Sequence, residues 1–219
     1  MSGSLPVAVV ISGRGSNMEA IVRAARVPGS GYQVVSVIAD RENAGGLERA
    51  AALGVQTRVV PLKQFADRAS FDTALAAAID ASGAKLVALA GFMRILSVEF
   101  VQRFEGRLLN IHPSLLPKYK GLDTHARALT AGDSHHGASV HFVTAELDGG
   151  PVVMQGRFRL LPGDTVEAVS ARVHALEHRI YPHVCSLIAT GRVETCGASV
   201  YFDGEPLAAP LIEETDAAA

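Results

Sequence analysis

The stretch Val7-Ala-Val-Val-Ile-Ser-Gly-Arg-Gly-Ser-Asn17 places an uninterrupted apolar run directly before a glycine-rich polar loop. Because five consecutive apolar residues leave no polar face, residues 7–11 are typical of a strand buried on both sides in a parallel sheet. The apolar positions after the loop have helical spacing: Met18, Ile21, Val22 and Ala25. The stretch therefore predicts a strand, a loop and a helix, which is how α/β folds begin.

The same rhythm of strands and helices continues outward from this stretch. Further strand-like runs lie at residues 34–39, 56–60, 86–90 and 107–111, and helix-permitting segments at 46–53 and 68–81 separate some of them. These repeats predict an α/β fold with a doubly wound, mostly parallel sheet and helices on both faces. After about residue 135 the pattern changes, because 139–144 alternates and joins 152–160 through a turn, which predicts an antiparallel or mixed edge.

Helix ends and domain limits can also be predicted. Ser16 with Glu19, and Asp164 with Glu167, have the spacing of capping boxes at the starts of two helices. The second of these helices is long and carries one apolar stripe. At 219 residues the chain needs only one core, so we expect a single domain over residues 1–205 and a C-terminal tail over 206–219.

Composition limits the possible partners and compartments. The net charge of −2 and pI of about 6.4 provide no positive field for a phosphate backbone, so we expect no nucleic-acid partner. No apolar run approaches the roughly 20 residues needed to span a bilayer, and the first residues do not resemble a signal peptide. We therefore expect a cytoplasmic protein with no membrane partner.

The polar loop at residues 12–17 predicts a phosphate site. Backbone N–H groups at a helix N-terminus attract anions, and glycines allow a close approach. A dinucleotide site, with Asp40 as the ribose ligand, is the competing interpretation. Its fingerprint requires a third glycine where Met18 stands, and no Gly-Lys-Ser/Thr follows, so a single phosphate is favoured over a dinucleotide or a plain turn.

Asn110 and His112 are the first candidates for catalysis. They are spaced by two near the end of a predicted parallel strand, so they lie on one face where open α/β sheets bind ligands. Pro113 restricts His112 to an extended conformation. The alternative is that Asn110 satisfies a neighbouring loop and His112 is a hydrogen-bonded core histidine.

Two acidic residues and a group of histidines allow more than one interpretation. From spacing, Asp148-Gly149 is a routine turn between two strands. Glu177 lies on the apolar stripe of the long helix and needs a partner, either a protein group or a ligand. Histidines cluster between residues 112 and 141, but no zinc motif matches their spacing, so we expect no metal.

Several motifs, in order, resemble the glycinamide ribonucleotide formyltransferases, the folate-dependent enzymes of purine synthesis. The resemblance covers nearly all of the chain and depends on these segments: Ile11-Ser-Gly-Arg-Gly-Ser-Asn17, Ala90-Gly-Phe-Met-Arg-Ile-Leu96, Leu109-Asn-Ile-His-Pro-Ser-Leu-Leu-Pro117, Gly121-Leu-Asp-Thr-His125, Ser139-Val-His-Phe-Val143 and Glu146-Leu-Asp-Gly-Gly-Pro151. Arg14 and Ala138 depart from the pattern, where Asn and Thr are common. Arg14 leaves the affinity for phosphate open.

The resemblance implies a Rossmann-like formyltransferase fold and a role for each site residue. Asn110, His112 and Asp148 would be catalytic, and it brings Asp148 next to His112. Ribonucleotide-site residues would be Gly15, Ser16 and Asn17 for the phosphate and Glu177 for the glycinamide end. Folate-site residues would be Arg68, Met93, Arg94, Ile95, Leu96 and Asn110. The co-substrate would be 10-formyltetrahydrofolate, without a metal, in a monomer or homodimer.

The implied reaction is attack of the substrate amine on the formyl carbon of 10-formyltetrahydrofolate. Asn110 and a protonated His112 would stabilise the developing oxyanion, and the Asp148 carboxylate would favour the imidazolium. Methionyl-tRNA formyltransferase and formyltetrahydrofolate deformylase share this centre. We disfavour both because they carry an additional C-terminal or N-terminal domain. A non-catalytic phosphate-binding module is the alternative from another class, and it leaves the three residues unexplained.

Overall fold

The computed structural model describes residues 3–197 and 199–215 and consists of strands that alternate with helices. The helices are α1 (Ser16–Ala24), α2 (Gly45–Ala52), α3 (Arg68–Ala81), α4 (Val98–Arg103), α5 (Thr124–Thr130) and α6 (Val166–Ala189), and a 3₁₀ turn covers Leu62–Gln64. The strands are β1 (Leu5–Ile11), β2 (Tyr32–Ala39), β3 (Thr57–Val59), β4 (Leu86–Leu89), β5 (Leu108–His112), β6 (His135–Phe142), β7 (Val152–Arg159), β8 (Val193–Cys196), β9 (Ser199–Phe202), β10 (Glu205–Pro206) and β11 (Leu211–Thr215).

The main sheet has eight strands in the order β11-β7-β6-β5-β4-β1-β2-β3. Strand β6 is antiparallel to both β5 and β7, whereas β11 is parallel to β7 and the remaining pairs are parallel. Among the eight described strands of this sheet, β6 is thus the one that runs antiparallel to the others. The predicted doubly wound, mostly parallel sheet with a mixed part is confirmed.

Strand β1 lies between β2 and β4, and the chain winds outward from it in both directions. This reversal makes a topological switch point, where a crevice opens beyond the carboxyl ends of the strands. The side chains of β1 are buried on both faces, as the apolar run predicts. Val7, Val9 and Ile11 pack into the core beneath α1 and α6, and Ala8 and Val10 pack into the core beneath α3 and α4.

Both capping-box predictions were wrong. Helix α1 begins after Gly15, which takes a left-handed conformation and supplies no side-chain cap. Glu19 pairs instead with Arg23 and Arg49, each at 2.7 Å. Helix α6 is capped by Thr165, whose hydroxyl accepts the N–H of Ala168 at 3.2 Å, rather than by Asp164. Many polar residues near a helix start can cap it, and the turn geometry decides which one does.

The prediction of a tail at residues 206–219 was wrong for 211–215. Strand β11 adds to the edge of the main sheet beside β7, and Arg157 pairs with Glu214 at 2.8 Å across the two strands. A second sheet of three strands, β10-β9-β8, precedes it, and the sequence patterns did not predict that sheet. Residues 216–219 lie outside the described residues, and the single domain over 1–205 stays a prediction.

Candidate active site

The glycine-rich loop joins β1 to α1 at the switch point of the sheet. Gly15 has φ 76°, and a Cβ on it would lie 2.7 Å from the Cα of Gly46 at the start of α2. Gly46 in turn donates its N–H to the carbonyl oxygen of Gly13 at 3.0 Å. Two helix N-termini are therefore brought against one loop because neither contact glycine has a side chain. The arrangement suits an anion.

A cavity of about 490 Å³ opens above this loop. Its lining includes Ser12 to Asn17 from the loop, Arg41 from the end of β2, and His174 and Glu177 from α6. The predicted phosphate residues and Glu177 thus share one cavity, although Asn17, the nearest of them in the chain, is 160 positions from Glu177. The structure brings together a helix N-terminus and a carboxyl group that could accept a hydrogen bond from an amine.

Glu177 is only 4% exposed, and Asn17 supplies the partner that its burial requires. The Asn17 Nδ2 donates to Glu177 Oε2 at 2.8 Å. Burial raises the pKa of Glu177, and the hydrogen bond from Asn17 opposes that rise only in part. The sequence left open whether a protein group or a ligand is the partner of Glu177. In the structure its partner is a protein group, the side-chain amide of Asn17 on the adjacent helix.

His112 lies at the end of β5 between two hydrogen-bond acceptors. Its Nε2 is 2.9 Å from the carbonyl oxygen of Tyr119, and its Nδ1 is 3.3 Å from the Oδ2 of Asp148. Because a carbonyl and a carboxylate can only accept, this environment suits a ring that carries a proton on both nitrogens. An imidazolium at this position would have an anionic neighbour in place of water.

Asp148 lies in the connection between the antiparallel strands β6 and β7, with φ 48°. Its Oδ2 also accepts the N–H of Gly121 at 2.9 Å. The turn predicted from spacing and the contact implied by the resemblance are therefore both present. The backbone of Gly121 and the ring of His112 hold the carboxylate at the end of the sheet.

Asn110 faces His141 across the β5–β6 ladder, where the two residues are register partners. The Nδ1 of His141 lies 3.0 Å from the carbonyl oxygen of Phe142, so Nδ1 carries the proton and Nε2 accepts from the Asn110 amide at 3.2 Å. Burial lowers the pKa of His141, which agrees with a neutral ring. In the sequence His141 stands out only as one of the clustered histidines, although its place on an alternating strand could have indicated this contact.

A buried polar network fixes the loop that follows His112. The Ser139 hydroxyl donates to the carbonyl oxygen of Ser114 at 2.6 Å and accepts the N–H of Leu116 at 3.0 Å. Gln155 Nε2 donates to the carbonyl oxygen of Leu116 at 2.7 Å. These contacts give the buried backbone groups partners and hold the loop rigidly beneath the catalytic candidates.

A larger cavity, of about 740 Å³, opens beside Asn110, His112 and Asp148. Its lining includes Met93, Arg94, Ile95 and Leu96, for which the resemblance implies a role in folate binding, and much of it is apolar. Met93 is 71% exposed and Leu122 79%, so apolar side chains are free to contact a ligand. A flat, largely apolar ring system would fit such a lining.

Arg68 is not among the residues that line the larger cavity. It begins α3, its side chain is 50% exposed, and its Nε lies 3.9 Å from Asp72 Oδ2. The role implied for Arg68 in folate binding stays a prediction that the cavity does not support. The larger and smaller cavities share a common wall, formed by Gly91, Met93, Ile111, Pro113 and His125.

The clustered histidines pair with each other or with polar neighbours. His125 Nδ1 lies 3.0 Å from His136 Nε2, and burial together with the charge of His125 lowers the pKa of His136 to about 4. In the described part of the chain, no group of three or more His, Cys, Asp or Glu side chains is arranged to hold a metal ion. No helix in that part is long and apolar enough to cross a membrane.

Comparison with known proteins agrees with this geometry. Residues 5–185 match the family described as formyl transferase. The chain is 47% identical to phosphoribosylglycinamide formyltransferase of Escherichia coli K12 over 92% of its own length and 95% of that protein. It is 40% identical to the protein of that name from Haemophilus influenzae, over 92% of its own length and 95% of that protein. A solved structure of phosphoribosylglycinamide formyltransferase from Coxiella burnetii superposes with a TM-score of 0.91 and 47% identity. The superposition covers 95% of this chain and 99% of that chain.

Proposed function

Since the chain belongs to the formyl transferase family, we propose which of its residues bind the substrates and which catalyse the reaction. The protein is an enzyme that transfers the formyl group of 10-formyltetrahydrofolate to the amine of glycinamide ribonucleotide. The products are formylglycinamide ribonucleotide and tetrahydrofolate, in purine biosynthesis. The assignment of individual residues is our proposal.

Asn110, His112 and Asp148 are the catalytic residues in this proposal. The amine of the ribonucleotide attacks the formyl carbon, and the carbonyl oxygen gains negative charge. The attacking nitrogen then gives up a proton, the carbonyl re-forms, and the bond from carbon to N10 breaks as N10 takes up a proton. One hydrogen of the Asn110 amide faces His141, which leaves the other for the oxyanion. The position of His112 between the Asp148 carboxylate and the Tyr119 carbonyl is the observation that carries the proposal.

His112 can donate to the formyl oxygen only if that oxygen replaces the Tyr119 carbonyl as the acceptor of its Nε2–H. The exchange keeps the number of hydrogen bonds constant, and the new acceptor becomes more negative as the reaction proceeds. A donor is therefore used more strongly in the transition state than before it, as catalysis requires. Asp148 stabilises the imidazolium throughout and orients the ring.

The two cavities support a proposed placement of the substrates. The loop of Gly15, Ser16 and Asn17 binds the phosphate, and Glu177 accepts from the glycinamide end. Met93, Arg94, Ile95 and Leu96, with Asn110, hold the folate in the larger cavity. The shared wall lets the amine and the formyl carbon meet close to His112. We propose that the enzyme acts in the cytoplasm as a monomer or homodimer, without nucleic-acid or membrane partners.

Substitution Asp148→Asn tests the catalytic assignment. We expect ribonucleotide-dependent turnover, followed by the absorbance change of the folate, to fall by about 10²-fold or more, because an amide cannot stabilise the imidazolium. Asp80→Asn, which removes an exposed partner of Arg103 outside both cavities, is the matched control and should keep its turnover. Near-native turnover in Asp148→Asn would refute the assignment. Release of formate without the ribonucleotide would instead indicate a deformylase.

A further inference from the structure

Asp40, at the carboxyl end of β2, is a fully buried carboxylate shared by two arginines. Arg41 donates through Nε to Oδ1 at 2.9 Å and through Nη2 to Oδ2 at 3.3 Å. Arg94 donates through Nε to Oδ2 at 2.9 Å, from a position 54 residues away in the chain. One acidic side chain thus fixes two guanidinium groups. Because its oxygens are taken by arginines, Asp40 is not available as the ribose ligand that a dinucleotide site would need.

The two arginines lie at different cavities. Arg41 lines the smaller cavity above the glycine-rich loop, and Arg94 lines the larger cavity beside Asn110 and His112. Both side chains are partly exposed, at 42% and 38%, so each can meet a ligand. Ser12 extends the connection, because its hydroxyl accepts the N–H of Met93 at 3.1 Å and also helps to lower the pKa of Asp40. The carboxyl ends of three strands are thereby joined by one network.

The charges of this network favour an anionic ligand. Burial tends to raise the pKa of Asp40, but the hydrogen bonds from Arg41 and Arg94 outweigh it and hold that pKa below its usual value. The carboxylate is therefore ionised at neutral pH and compensates only one of the two guanidinium groups. The exposed side chain of Arg14 lines the smaller cavity as well. A phosphate monoester, with roughly two negative charges, would balance this excess.

Building on the function proposed above, we propose that Arg41 is a further ligand of the substrate phosphate and that Asp40 is its positioning residue. Arg41 donates to Asp40 through Nε and Nη2, and in the described ranges its Nη1 has no protein acceptor. That nitrogen supplies charge-assisted hydrogen bonds beside the backbone donors of the loop. Asp40 also positions Arg94 at the folate cavity, so one carboxylate supports both substrate sites.

Arg41→Gln tests the phosphate contact directly, since it removes the positive charge while the glutamine amide can still donate to Asp40 and Arg94 keeps its own contact with that carboxylate. We expect the KM for glycinamide ribonucleotide to rise about tenfold, with kcat and the KM for the folate changed less than about twofold. The dephosphorylated substrate, glycinamide riboside, should lose no kcat/KM in this variant. Arg103→Gln, which removes an exposed arginine paired with Asp80, is the matched control.

Asp40→Asn and Arg94→Gln test the shared support. We expect Asp40→Asn to raise the KM for both substrates, whereas Arg94→Gln should raise only the KM for the folate. A purely structural role of Asp40 would lower thermal stability and kcat together, without this split between substrates. Titration calorimetry with the ribonucleotide measures its binding without turnover, and its affinity should fall in Asp40→Asn but not in Arg94→Gln.

The outcomes separate this inference from the proposed function. If native protein transfers the formyl group and Arg41→Gln keeps its KM for the ribonucleotide within twofold, the inference is overturned and the reaction stands. Equal losses with ribonucleotide and riboside would also overturn it, because the contact would then not be with phosphate. Absence of ribonucleotide-dependent transfer in native protein would instead refute the proposed function.

Discussion

His112 and His141 lie close to one carboxylate but have different hydrogen-bond neighbours. His112 has an acceptor at each ring nitrogen, whereas His141 has an acceptor at Nδ1 and an amide donor at Nε2. Two acceptors suit a donor at each ring nitrogen of His112, whereas the neighbours of His141 fix one neutral tautomer. His141 consequently orients the Asn110 amide as a neutral ring, in agreement with the lowering of its pKa by burial.

Asn110→Ala removes one of the two proposed oxyanion donors. We expect kcat to fall by about 10²-fold or more while the KM for the ribonucleotide changes little, because the donor acts on charge that develops in the transition state. Steady-state kinetics at saturating folate measure both constants. Gln102→Ala, an exposed amide on α4, is the control. A loss confined to KM would show that Asn110 binds substrate without stabilising the oxyanion.

At the scale of elements, the close approach of α1 and α2 shapes the proposed phosphate site. The approach depends on Gly15 and Gly46, whose backbones are in contact where any Cβ would intrude. The glycines of the loop led to the prediction of a phosphate site, but the loop sequence did not reveal that Gly46, which is 31 positions later, packs against Gly15. Such a requirement arises from packing between elements, and local patterns do not encode it.

Gly15→Ala should disturb both stability and substrate binding. A side chain at φ 76° costs about 1–2 kcal/mol, and the contact of 2.7 Å with Gly46 adds to that because both partners are backbone. We expect Gly15→Ala to lower the free energy of unfolding in urea more than Gly83→Ala does. Gly83 has φ 72°, but a Cβ added there would have no atom within 4 Å. Only Gly15→Ala should raise the KM for the ribonucleotide. Equal effects of the two substitutions on stability would contradict the close approach.

At the scale of the whole molecule, the sequence predicted what local periodicity controls. The apolar run of β1 and the stripe of α6 correspond to buried elements, because burial of a strand face or a helix face requires that pattern. The sheet of β8, β9 and β10 and the edge strand β11 escaped prediction, since their pairing depends on distant segments. The Asn17–Glu177 contact, 160 residues apart, is of the same kind. The family resemblance, rather than spacing, placed Asp148 beside His112.

Buried histidines should make the whole fold sensitive to acid. The pKa of His136 is lowered to about 4 by burial and by His125, whereas an unfolded chain has a histidine pKa of about 6.5. The unfolded state therefore binds the proton more tightly, so this stability is fully present above about pH 6.5 and is lost as the pH falls toward 4. The loss from this one group would reach about 3 kcal/mol. His125, His141 and His178 have pKa values lowered by burial too, and they act in the same direction.

Substitution by a residue that does not titrate separates the part due to His136. We expect the free energy of unfolding in urea, measured between pH 7 and about pH 4.5, to fall less steeply with acid in His136→Gln than in native protein. His183→Gln, an exposed histidine on α6, should leave the slope unchanged and serves as the matched control. Because the slope is compared rather than the absolute stability, a uniform loss from the broken His125 contact does not obscure the result. Identical slopes in native protein and His136→Gln would mean that other groups carry the acid sensitivity of the fold.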